Sequence, residues 1–268
     1  MLAVDIGNTT TRLAAFSGGN VGERRVFPTR GLREGEIRKA LRDLLGRTDG
    51  REAWIASVAP GANPILEKAA AALGLRPRFI VPGGDFIIGH SLENPRAAGV
   101  DRLLAAMAAG VRHFPGGDGF AGYAVIQCGS AATVDWVDGE RIFRGGYILP
   151  GPEMWLSGLA RAEQIPDYSG EPPDWERLGP GADTRAAVRN GLAAGLPAAV
   201  AAVCSRLACL GDGSPRPNPQ SPARTPVVIT GGWARAVAGL LPRAVEDADL
   251  LLYGIHLFAG RSGGISHG

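Results

Sequence analysis

The chain has 268 residues, 45% of them hydrophobic and 20% charged, with a net charge of +2. That length supports one or two domains with a sizeable core, and so small a charge argues against a nucleic-acid or membrane-surface partner. Lys39 and Lys68 are its only lysines and neither follows a glycine, which excludes a Walker A phosphate loop.

In chain order, Met1–Asp5, Thr10–Phe16 and Val21–Thr29 read as a meander of strands. Leu32–Leu45 is helical, with Ile37, Leu41, Leu44 and Leu45 at core spacing. Ala53–Val58 reads as a strand, Pro64–Leu73 as a helix, Arg78–Val81 as a strand and Asp101–His113 as a helix. Pro115–Gly119 is a glycine-rich hinge. The pattern then restarts with strands over Tyr123–Gln127, Thr133–Val137 and Arg141–Ile148, the last two joined by a turn signal at Asp138-Gly139. Helices are expected at Glu153–Arg161 and Asp183–Leu210, a strand at Val227–Thr230, and a last helical region after Gly231-Gly232. Gly211–Pro226 is a Gly/Pro/Ser-rich surface connector without apolar period. Two halves that each open on three strands imply an internal duplication, with domains over 1–116 and 117–268. The expected class is α/β, two ribonuclease-H-like domains with a nucleotide cleft between them.

No basic N-terminal region precedes Asp5, which would interrupt a signal-peptide core. No apolar run reaches the roughly 18 residues of a membrane span. Cys128, Cys204 and Cys209 lack CxxC spacing, so no disulfide framework is expected. The four histidines show no zinc pattern. A cytoplasmic location follows as the expectation.

The chemistry concentrates in Asp5-Ile6-Gly7-Asn8-Thr9-Thr10-Thr11-Arg12, between two apolar runs. Gly7 lets the backbone turn and approach a ligand. Asn8, Thr9, Thr10 and Thr11 supply neutral donors, and Asp5 is a hard oxygen ligand suited to Mg²⁺. A plain hairpin turn explains the same residues. Asp101 precedes the period Leu103, Leu104, Met107, Val111 and reads equally as a helix cap. Thr184 opens a long helix, where unpaired amides and a hydroxyl suit a polar substrate.

Several motifs together resemble the type III pantothenate kinases, of the superfamily that joins acetate and sugar kinases, heat-shock chaperone ATPases and actin. They run in order along nearly the whole chain: Asp5-Ile-Gly-Asn-Thr-Thr; Ser57-Val-Ala-Pro; Asn94-Pro95 with Gly99-Val100-Asp101-Arg102; Gly129-Ser130-Ala-Ala-Thr-Val-Asp135; Gly145-Gly146 with Pro150-Gly151; Asp183-Thr184 with Asn190-Gly191; and Thr230-Gly231-Gly232. The resemblance implies ATP-dependent phosphorylation of pantothenate to 4′-phosphopantothenate, the first step towards coenzyme A. It implies Asp101 as the base that accepts the hydroxyl proton. Gly99, Val100, Arg102 and Thr184 would bind pantothenate, and Asp5–Arg12 with Ser130 would bind ATP and Mg²⁺. Ser130 stands where the family usually has threonine and keeps the hydroxyl. A homodimer is also implied.

Position 127 departs from the pattern. The family's aspartate there helps hold a monovalent cation, K⁺ or NH₄⁺, and this chain has Gln127, which offers a carbonyl oxygen and no charge. The substitution leaves activity itself open. Two other readings therefore stand beside the first: a non-catalytic nucleotide- or pantothenate-binding regulatory relative, and a kinase for another small hydroxy acid.

Overall fold

The computed structural model describes residues 1–48, 50–84, 86–115, 121–171, 173–176, 179–211, 225–241 and 243–262. In chain order the elements are β1 (Leu2–Ile6), β2 (Thr10–Ser17), β3 (Asn20–Pro28), α1 (Glu34–Leu45), β4 (Glu52–Ser57), α2 (Asn63–Ala71), β5 (Arg76–Phe79), β6 (Gly89–His90), α3 (Val100–Arg112), β7 (Gly122–Cys128), β8 (Ala131–Asp138), β9 (Ile142–Pro150), α4 (Pro152–Leu159), α5 (Thr184–Gly211), β10 (Val227–Gly231), α6 (Ala234–Ala238), β11 (Ala244–Glu246) and α7 (Leu250–Ser262).

The chain divides into two compact units, residues 1–113 with the chain from Asp249 onward, and residues 114–248. The first unit carries a sheet in the order β3-β2-β1-β4-β5. β1 pairs antiparallel with β2 and parallel with β4, and β4 pairs parallel with β5. β1 is flanked on both sides and buried along its whole length, as a central strand between covered faces should be. β3, at the edge, alternates half-buried with exposed. α1 buries Ile37, Ala40, Leu41 and Leu44, one face at helical spacing. That face joins Leu2, Val4, Ile6, Leu13, Ile55 and Leu66 in one core cluster.

In the second unit, five strands pair in the order β9-β8-β7-β10-β11. β7 is antiparallel to β8 and parallel to β10. The strand order and sense repeat those of the first unit, so the duplication read from the sequence pattern is present as topology. The second core gathers Ala124, Ile126, Val134, Trp136 and Ile229 from the sheet. α5 adds Val188, Leu192, Leu196, Val200, Cys204 and Leu207, a stripe at helical spacing of four and, at its end, three residues.

Four expectations change. The chain after Asp249 belongs with the first unit rather than the second. There α7 packs on α3 so closely that a Cβ on Gly254 would overlap the Leu104 carbonyl oxygen. Phe16 and His256 stack at 4.6 Å, and Arg112 lies 4.9 Å over the Tyr253 ring. The last helical region is broken by β11 into α6 and α7. The Asp138-Gly139 hairpin is real but longer than a two-residue turn. Arg141 takes the left-handed conformation at φ 61°, and Asp138 Oδ1 accepts from the amides of Glu140 and Ile142, as in a three-residue loop closed by a left-handed residue. Lastly, Thr184–Leu207 is long and apolar enough by composition to cross a membrane. Its many alanines raise the average, while its large apolar side chains form a stripe in the second core. Residues 116–119 of the hinge and 212–224 of the connector lie outside the described residues.

Candidate functional site

In the first unit the site is built on the β1–β2 turn. Asp5 and Arg12 are direct cross-strand partners. Arg12 donates from Nε and Nη2 to the same oxygen, Asp5 Oδ2, at 2.9 and 2.8 Å. Burial pushes the Asp5 carboxyl above its ordinary range, and the Arg12 guanidinium opposes that shift without cancelling it. Gly7 donates its N–H to the Thr10 carbonyl at 3.0 Å, and a Cβ at Gly7 would lie 3.0 Å from that oxygen. Glycine is therefore what lets the turn close. Asn8 and Thr9 are exposed at its tip and Thr10 is half-buried.

The side chains of Thr11 and Ile6 both turn inward. Thr11 is 1% exposed, and its hydroxyl lies 2.9 Å from that of Thr29. Thr29 has one proton, given to the Gly7 carbonyl at 2.7 Å, so Thr11 is the donor between the two hydroxyls. The Thr29 amide also bonds the Thr9 carbonyl at 2.8 Å. Thr29 thus staples the turn from β3, a role with no local signal in the sequence. The Ile6 side chain lies in the core; its carbonyl accepts from the Val58 amide at 3.0 Å.

Asp101 lies in the first turn of α3, beside Val100, whose side chain is buried. Its Oδ1 accepts from the Arg102 amide at 2.9 Å. A Cβ on Gly99 would overlap that same oxygen, so Gly99 leaves the space the carboxylate occupies. The helix-start reading and the functional one meet in one geometry: a hydrogen bond to the backbone holds the carboxylate in a fixed position. Ser57, at the end of β4, donates to Asn63 Oδ1 at 2.6 Å and accepts from the Ala59 amide.

In the second unit the matching turn joins β7 to β8. Gln127, Thr133 and Thr230 are register neighbours across β7, β8 and β10, so they share one sheet face. Gln127 Nε2 lies 3.5 Å from Thr133 Oγ1, and Thr230 Oγ1 is buried with no hydrogen-bond partner among the described residues. Asp135, fully buried on β8, has its side chain on the same face. Cys128 lies on the opposite face, in the core, where burial pushes its thiol up to about 12 and favours the protonated form at neutral pH.

The turn itself holds Gly129 and Ser130. The Gly129 N–H donates to the Ala131 carbonyl at 3.1 Å, and Trp233 Nε1 donates to the Gly129 carbonyl at 3.0 Å. Trp233 is a site residue that sequence reading missed; only its place just after Gly231-Gly232 hinted at it.

Thr184 is the exposed first residue of α5. Asp183 caps the helix, accepting from the Ala186 amide at 2.7 Å. A cavity of about 240 Å³ is lined by Asp174, Asp183, Arg185, Ala186, Arg189 and Asn190. Glu171 Oε2 holds both arginines, at 2.9 and 3.4 Å. Among the described residues no cluster of three or more His, Cys, Asp or Glu side chains could hold a metal ion.

A family model described as type III pantothenate kinase matches residues 1–206. A type III pantothenate kinase of Thermus thermophilus is 33% identical over 270 residues, covering 97% of this chain and all of that protein. One of Rhodospirillum centenum is 33% identical over 274 residues, covering 98% of each. Among solved structures, a protein of Campylobacter jejuni described as a Baf family transcriptional activator aligns with a TM-score of 0.57 at 15% identity, over 99% of this chain and 100% of that one. A Listeria monocytogenes protein described as an N-acetylmannosamine kinase aligns with a TM-score of 0.51 at 14% identity, over 97% and 99%. At such identities these structures speak for the fold alone, and the fold is that of actin-like ATPases, with duplicated ribonuclease-H-like units.

Proposed function

The chain belongs to the type III pantothenate kinase family, and from that premise we propose how its residues share the work of phosphorylating pantothenate at the expense of ATP. The observation that carries the reading is the fixed Asp101 carboxylate beside Gly99. Phosphoryl transfer to a primary alcohol is mostly positioning and charge stabilisation. The hydroxyl still has to lose its proton as the new O–P bond forms, and Asp101 accepts it. Its hydrogen bond to the Arg102 amide keeps the carboxylate oriented before substrate arrives. Arg102 and Thr184 bind pantothenate, the arginine as a charged fork for its carboxylate. Asn8, Thr9 and Thr10 contribute donors to the ATP phosphates, as does Ser130.

The residues fit Mg²⁺ at Asp5. Both Arg12 bonds fall on Oδ2, which leaves Oδ1 as a hard oxygen ligand. Held there directly or through water, the ion would neutralise phosphate charge. They do not fit the family's monovalent cation at position 127. The group there is an amide whose nitrogen lies against Thr133, and a site that has lost one formal negative charge binds a cation more weakly. Activity in this chain does not depend on K⁺ or NH₄⁺. The chain acts in the cytoplasm, where ATP is available, and as a homodimer; exposed Tyr147, Ile148 and Met154 on β9 and α4 supply apolar surface for a second copy.

The test is turnover of purified protein with ATP, Mg²⁺ and pantothenate, the product identified by mass, in potassium chloride and in choline chloride. Equal rates of 4′-phosphopantothenate formation are expected in both salts. Absence of product in both would overturn the assignment. A rate several-fold higher in potassium would overturn cation independence alone.

A further inference from the structure

We propose that Trp233 is a positioning residue that locks the Gly129–Ser130 peptide, so that the Ser130 amide and not the Gly129 carbonyl is presented to the phosphates of ATP. The proposal deepens the nucleotide site of the function given above and rests on that reading.

The argument starts from a peptide plane. A trans peptide holds its C=O and its N–H pointing in opposite directions, and no cis peptide occurs among the described residues. The Gly129 carbonyl points at the Trp233 indole, which donates to it at 3.0 Å across 104 positions of sequence. The Ser130 N–H of the same peptide therefore points away from the indole. Trp233 is 8% exposed within the second core, while Gly129 is exposed and Ser130 half-buried. The carbonyl end is thus anchored inward.

Such an anchor has work to do. Rotating this peptide by half a turn changes ψ of residue 129 and φ of residue 130 together, and glycine at 129 makes that rotation cheap. The flipped peptide would direct a carbonyl oxygen where a donor is needed, and an oxygen dipole repels a phosphate anion. The flanking carbonyls are held as well. A Cβ on Gly231, which takes φ 108°, would overlap the Cys128 carbonyl oxygen, and one on Gly151 would overlap that of Ser130. Those two glycines let backbone pack against backbone. The middle carbonyl also lies near Gly151, where a Cβ would come within 2.6 Å of it, and at the flexible glycine it gains the indole as a side-chain donor. Trp175 stacks on Trp233 at 5.5 Å with an interplanar angle of 18°, a packing contact that leaves the indole N–H free to reach the Gly129 carbonyl.

Trp233→Phe keeps a stacked ring and deletes the donor, and Trp175→Phe alters the stack and keeps the donor. Thermal unfolding first establishes that each is folded. Calorimetric titration with a non-hydrolysable ATP analogue and Mg²⁺ then reads the lock directly. Trp233→Phe is expected to weaken nucleotide binding on the order of five- to thirty-fold, as loss of a buried hydrogen bond does. The KM for ATP should rise in parallel while that for pantothenate stays within about twofold. Trp175→Phe is expected to bind nucleotide within about twofold of the parent protein. Folded Trp233→Phe with unchanged nucleotide affinity would overturn the lock, as would an equal loss in Trp175→Phe, which would reduce Trp233 to packing. If Trp233→Phe does not fold, benzothienylalanine at 233 replaces the indole N–H by sulfur at constant shape, and the same outcomes decide. Failure of the parent protein to bind the nucleotide would count against the function itself, not against the lock.

Discussion

At the scale of single residues, the same side chains serve structure and chemistry, and substitutions separate the two when they keep one role and delete the other. Asp101→Asn retains an oxygen that can accept from the Arg102 amide, so the helix start and the fold should be unchanged. The amide cannot take a proton, and kcat should fall by about 10²- to 10⁴-fold with little change in the KM for ATP; steady-state kinetics on a variant of unchanged melting temperature checks this. Identity of these residues was legible because their types and order form motifs. Allocation of their hydrogen bonds was not. Thr9, Thr10 and Thr11 look equivalent in sequence, yet Thr11 is spent on Thr29, because alternation along β2 turns it inward. Gln127 shows the converse: its departure was visible in the sequence, while its register with Thr133 and the unpaired Thr230 hydroxyl needed the sheet.

At the scale of elements, hydrophobic periodicity located nearly every helix and strand to within a few residues, because each buries one face or is buried throughout. What periodicity does not report is how near two elements come. Gly254 in α7 is an example. Alanine is a better helix former than glycine by about 1 kcal/mol, so an isolated α7 would gain from Gly254→Ala. In the folded chain the new methyl would overlap the Leu104 carbonyl of α3, and overpacking of that kind costs about 1–3 kcal/mol. Gly254→Ala is therefore expected to destabilise, read as a lower urea midpoint at unchanged slope. An increase would show that α3 and α7 are not in close contact.

At the scale of the whole molecule, stability should depend on pH through a contact that ties the end of the chain to its beginning. His256 of α7 stacks on Phe16 of β2, and its Nδ1 is buried without a partner among the described residues. Burial, then the charge of the N-terminus, holds its pKa below the ordinary 6.5. The unfolded chain therefore takes up this proton first, and stability is lost as pH falls below about 6.5 until the folded histidine protonates too. Asp5 acts in the opposite sense, since its raised pKa lets the folded state protonate first and adds stability on acidification. His256→Phe keeps the stack and removes the titration, so its loss of stability between pH 7.5 and 5 should be smaller than the parent's, measured by urea denaturation at both values. The sequence by itself determined the element order, the duplication and the family, because periodicity, turn residues and ordered motifs are local properties of a chain. Tertiary structure alone decided which unit the last helix completes, which threonine is spent on the turn, and that an indole 104 positions away donates to the Gly129 carbonyl in the β7–β8 turn. Those depend on distances between segments, and no local pattern of residues encodes a distance.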